Sequence, residues 1–217
     1  MLLTAFALWF GEFALEVNGF CRSRCYPLLS LFFGYCAVAD LSAFVIRHFY
    51  GWEVYKYAYW FQKGGKYFLL AILAAYLCGK VLDASREQVC CAAGILIAGS
   101  CILCAVFADE TTLGDRLVDG GILSALMLTA GLGLAWVGRK KSLPKPWNLV
   151  AGGLLTLLVG DILVLVACKF WWPAHHAKWI AEYAQLVMWN FAVRGKLAEF
   201  RLPLGVNIEG QAKGVGE

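Results

Sequence analysis

Charge is what this sequence has least of. Of its 217 residues only 16% are Asp, Glu, Lys or Arg, while 61% are hydrophobic, and the mean hydropathy is +0.66. A soluble domain of this size carries about a quarter charged residues and about 45–50% apolar ones. The shortfall excludes a soluble globular enzyme, a disordered chain and a nucleic-acid binder. Polar–apolar alternation is missing as well, so the long apolar runs cannot be the strands of a β-barrel. No basic segment precedes the first apolar run, and Glu12 and Glu16 interrupt it, which argues against a cleaved signal peptide. The loops are too short for a separate catalytic or sensory domain. No internal repeat suggests an inverted-repeat transporter.

What the chain does have is apolar length. About 20 such residues span a bilayer as a helix. Runs over 2–20, 26–46, 55–82, 89–108, 117–137, 147–168 and 174–193 predict an all-α, polytopic transmembrane bundle of seven helices, with six as the alternative. The seventh run is the least apolar, and its alternative is an interfacial helix lying on the membrane. The bundle occupies 1–194. The tail, 195–217, is polar and Gly-rich and reads as a short, disordered cytoplasmic extension.

Loop charge gives the bundle a direction. The segments after spans 1, 3, 5 and 7 carry twelve Lys and Arg, against five on the other side. Basic residues concentrate on the cytoplasmic side. The expectation is therefore an inner (plasma) membrane protein with its N-terminus out and C-terminus in, and an odd span count keeps that pattern in phase. Gly94-x3-Ala98, Gly121-x3-Ala125 and the glycines at 131, 133, 152, 153 and 160 predict close helix contact, because small residues let backbones approach. Most tryptophans, Trp9, Trp60, Trp136 and Trp147 among them, fall near span ends and read as interfacial belt residues.

The charges inside the spans carry the functional expectation, since a charge in hydrocarbon is costly and faces the bundle interior or water. At ~1.5 Å per residue, Asp40, Lys63, Lys66, Asp161 and Glu182 fall at one level, roughly 9–16 Å below the outer surface of a ~30 Å core. Lys63 and Lys66 share a helix face with Tyr59. Asp119 sits higher, near the mouth. One reading is a polar cavity open to the outside, binding a small polar ligand or passing protons. The other is a structural ion-pair cluster, with lysines snorkelling outward. Lys178 and Glu182 also form an i,i+4 pair. Glu12 and Glu16 share a face of span 1, in its middle and inner half. Two carboxylates so close in a low dielectric resist double ionisation, as a proton carrier needs; hydrogen bonding to neighbouring helices is the blander account.

The nine cysteines include no two-pair zinc spacing. Cys21, Cys25, Cys78, Cys90 and Cys91 fall toward the cytoplasmic side, where thiols stay reduced. Cys101-Ile102-Leu103-Cys104 resembles the redox pair of the vitamin K epoxide reductase and disulfide-forming membrane enzymes. Their second, shuttling pair has no counterpart in the outer loops here. His175-His176 reads as a solvated turn. No metal site or cofactor is implied, and no nucleophile–base pair suggests an enzyme.

In outline the seven helices resemble microbial rhodopsins, but no lysine lies mid-span 7 to carry retinal. Receptor signatures, an Asp-Arg-Tyr closing span 3 and an Asn-Pro in span 7, are absent. Tyr57-Ala58-Tyr59-Trp60, with a later tyrosine at Tyr76, resembles the start of span 3 in uncharacterised bacterial seven-helix membrane proteins. That family has an acidic residue after the Tyr-Trp pair where this chain has Lys63. The resemblance implies a topology and no activity. The expected partners are the lipid bilayer, a small polar ligand and other membrane proteins. Three functions stay open: sensing a small polar ligand from outside, solute or proton-coupled transport with Glu12 and Glu16 as the inner half of a path, or an accessory role in a membrane complex.

Overall fold

A computed structural model of the chain describes residues 2–24, 26–107, 112–138, 143, 145–167 and 174–194, with the side chains of 2–6, 107, 145, 165–167 and 174–178 left aside. The described residues are helical with no strand, in the order α1 (Leu2–Arg22), α2 (Pro27–Phe49), α3 (Trp52–Leu82), α4 (Arg86–Phe107), α5 (Leu113–Gly138), α6 (Lys145–Ala167) and α7 (Ala174–Arg194). Five of them, α2 to α6, are long and apolar enough to cross a membrane. The tail, the His175-His176 pair, Lys178, Cys25 and Cys168 lie outside the described residues or side chains.

Local chemistry sets the helix ends. Pro27 opens α2, where its missing N–H has no partner to lose. Gly51 precedes α3 with φ of 76°, a conformation that side chains with a Cβ rarely adopt. Asp83 closes α3 in the left-handed region, and its N–H returns to the Gly79 carbonyl. Ser85 and Gln88 form a reciprocal capping box: Gln88 N–H donates to Ser85 Oγ at 3.2 Å, and Ser85 N–H to Gln88 Oε1 at 2.9 Å. At α5, Asp115 N–H donates to Thr112 Oγ1 at 3.4 Å, and that hydroxyl donates to Asp115 Oδ2 at 2.7 Å. These caps start α4 at Arg86 and α5 at Leu113, ahead of the apolar runs that mark them in the sequence.

The packing forms a ring, α1–α2–α3–α5–α6–α7 and back to α1, with α3 also reaching α6. Helix α4 lies outside the ring against α3 and α5. Only 6% of its apolar window is buried. Its Gly94 and Ala98 are exposed, so that small pair makes no close contact within the chain. The close approach between α4 and α5 falls at Gly120 instead, where a Cβ would stand 2.8 Å from Cys101 Cα.

An apolar core fills the half of the ring toward the start of α2 and the end of α3. Leu29, Phe32 and Phe33 of α2, Leu70 and Leu73 of α3 and Trp189 of α7 are all at most 2% exposed. Trp189 packs edge-on against Phe32, ring centroids 4.8 Å apart, and its indole N–H donates to the Val150 carbonyl at 3.0 Å. Trp147 joins this core, 7% exposed and edge-on to Tyr26, instead of sitting in an interfacial belt.

The seam between α1 and α7 is polar. Asn190 donates to the Leu15 carbonyl at 3.0 Å, Asn18 donates to Asn190 Oδ1 at 2.5 Å, and the Tyr183 hydroxyl meets the Leu8 carbonyl. These directional hydrogen bonds give the seam a specific pairing that apolar contact alone does not supply.

Candidate functional site

Seven ionisable residues from five helices meet in one largely buried layer. Helix α3 supplies Lys63 and Lys66, one turn apart. Lys66 is 5% exposed, and its ammonium lies 3.5 Å from Glu12 Oε1 of α1 and 3.5 Å from Glu182 Oε1 of α7. Lys63 reaches the same Glu182 oxygen at 3.8 Å. Glu182 therefore bridges two lysines, and Lys66 bridges two carboxylates.

Two neutral side chains of α3 extend the layer. Gln62 donates to Asp40 Oδ1 of α2. The Tyr67 hydroxyl stands 3.2 and 3.1 Å from the two carboxylate oxygens of Asp161 on α6. Asp40, Asp161 and Glu182 are 6, 5 and 4% exposed. One helix thus projects Gln62, Lys63, Lys66 and Tyr67 toward acids from four others, which follows from the i, i+3, i+4 geometry of a helix face. The five expected residues Asp40, Lys63, Lys66, Asp161 and Glu182 are brought together.

Glu12 and Glu16 belong to the same layer rather than to a separate inner half of a path. One carboxylate oxygen each from Glu12, Glu16 and Asp40 lies within 4.8 Å of the others. Glu16 is fully buried, and neither of its oxygens has a hydrogen-bond partner among the described residues. Tyr59 stays apart, 38% exposed, and Asp119 is exposed on α5. The sequence reading missed Gln62 and Tyr67, which carry no charge and sit in an aromatic stretch. Their spacing from the lysines was the available signal.

The layer is closed on the side of the apolar core. Bordering it, Tyr67, Asp161, Thr129 and neighbouring leucines line a half-open pocket of about 10 Å3, room for about one water. On the other side contact with the surroundings is partial: the side chains of Lys63 and Glu12 are 25 and 19% accessible.

Among the described residues the cysteines form no disulfide and no cluster with metal-ligating neighbours. All seven in the described residues are free; Cys36 is buried one turn before Asp40, and Cys101 and Cys104 are unbridged. Compared with known proteins, the chain matches no family model, no curated protein and no solved structure.

Proposed function

We propose that this chain is a seven-span protein of the inner (plasma) membrane, N-terminus out and C-terminus in, that works as a small proton-coupled carrier through its buried charged layer. The observation that carries the reading is an excess of acid. Among the described side chains, five carboxylates (Glu12, Glu16, Asp40, Asp161 and Glu182) share the layer with two lysines. A buried carboxylate without a positive partner is heavily penalised, so the layer holds protons or other cations, and their gain and loss is a coupling device. The apolar core of Phe32, Phe33 and Trp189 supports the reading as the barrier that a carrier needs on its closed side.

A second reading, binding or sensing of a small polar ligand from the outer side, draws on the partial accessibility of Lys63 and Glu12. Ligand binding alone does not require the excess of acid, which favours the carrier.

Proteoliposomes holding a pH-reporting dye test the proposal, with inward gradients of small polar solutes (amino acids, sugars, organic acids) applied in turn. At least one gradient should move protons well above the rate of empty liposomes, and Glu182→Gln should remove at least nine-tenths of that signal. Rates equal to those of empty liposomes for every solute would reject the carrier. A tag on the C-terminus that is cut by protease only after the membrane is opened from the cytoplasmic face supports the orientation.

A further inference from the structure

We propose that Glu12, Glu16 and Asp40 form a binding site for a hard divalent cation of calcium's size. The inference rests on the charged layer and goes beyond proton coupling, because a site of this kind can hold an ion whether or not the protein moves protons.

The geometry suits such an ion. Calcium takes oxygen ligands at about 2.3–2.6 Å, so ligands across one ion stand up to about 5 Å apart. One oxygen from each of the three carboxylates lies within 4.8 Å of the other two. The donors are all carboxylate oxygens, the set that hard cations prefer over soft ones.

Glu16 is the second, separate indication. Its neighbours in the layer are already served: Lys66 takes Glu12 Oε1, and Gln62 takes Asp40 Oδ1. Glu16 is 0% exposed, no ion pair of the described residues reaches it, and both its oxygens lack a hydrogen-bond partner. One of its oxygens lies within 4.8 Å of a carboxylate oxygen of each of Glu12 and Asp40. When ionised, the three carboxylates carry three negative charges against the one positive charge of Lys66, and a divalent ion meets the remainder in place of two protons. Glu12, with 19% of its side chain accessible, marks the way in, and water through that opening completes the coordination shell.

The test uses the full chain in lipid nanodiscs with Mn2+ as the probe, since free Mn2+ gives an electron paramagnetic resonance signal that binding removes. One Mn2+ per chain should bind saturably and be displaced by excess Ca2+. Glu16→Gln should weaken binding at least tenfold, while Asp119→Asn, an exposed acid on α5, leaves it unchanged. Glu16→Gln keeps the shape and removes an unpartnered charge, so its thermal midpoint in chelator should equal or exceed that of the wild type. Added Ca2+ should then raise the wild type and not the variant. Glu12→Gln, at the accessible edge, gives a second variant with the same expected loss. Absence of saturable Mn2+ binding overturns the inference, as does unchanged binding in both glutamate variants. Solute-driven proton movement without Mn2+ binding overturns the cation site and leaves the carrier standing. Mn2+ binding without proton movement does the opposite.

Discussion

Lys66 is held between two carboxylates in a place that water scarcely reaches. Replacing it with Met leaves Glu12 and Glu182 facing each other without the ammonium that lies 3.5 Å from each. Breaking a buried ion pair from one side costs about 3–5 kcal/mol, so Lys66→Met should lower the thermal midpoint in detergent more than any other single change in the layer. A midpoint within 2 °C of wild type would mean that the layer is wetter than its burial implies. Tyr67→Phe is a milder case. It removes one hydroxyl from Asp161, and a buried hydrogen bond to a charged group contributes about 1.5–3 kcal/mol, so chemical denaturation should register a loss of that order. The charged members of the layer were legible in the sequence because a charge in an apolar run is conspicuous. The neutral ones were not. Depth along a span set Glu16 apart in the inner half, although its carboxylate lies within 4.8 Å of those of Glu12 and Asp40.

At the scale of elements, the apolar runs located all seven helices to within a few residues. Their polar first turns were harder to see. The start of α4 depends on Ser85 and Gln88, and that of α5 on Thr112 and Asp115, none of which belongs to a hydrophobic stretch. Close packing was legible at Gly133, Gly152 and Gly153, where a Cβ would crowd Leu155, Met188 and Trp189, but not on α4. The sequence offers several small residues, and the fold uses Gly120 against the backbone of Cys101 while Gly94 is left outside. Gly120→Val should therefore push α4 from α5 and cost about 1–3 kcal/mol by overpacking. Gly94→Val should be near neutral, and comparing their midpoints in detergent checks the pair. The seam of α1 and α7 makes a different prediction. Asn190 bonds to both Asn18 and the Leu15 carbonyl, and interhelical hydrogen bonds in membranes contribute about 0.6–2 kcal/mol. Asn190→Ala should weaken this seam first, seen as faster labelling of a cysteine placed at Ala192 than in the parent.

For the whole molecule, the ring joins the two ends of the chain: the Asn18–Asn190 bond spans 172 positions. The charged layer is assembled across that closure, with Glu12 on the first helix and Glu182 on the last. A ribosome releases these helices in order. Glu12, Glu16 and Asp40 are therefore made before Lys66, and Lys66 waits through three more helices for α7 and its Glu182. Synthesis passes through intermediates whose acids have no lysine, and then through ones whose lysines lack half their acids. A chain halted before α7 should accumulate to less than a tenth of the full-length level by immunoblot, and coexpressing α7 as a separate peptide should restore part of it. Quality control would thus read the same charges that the folded protein uses, with α7 acting as the signal that the layer is closed.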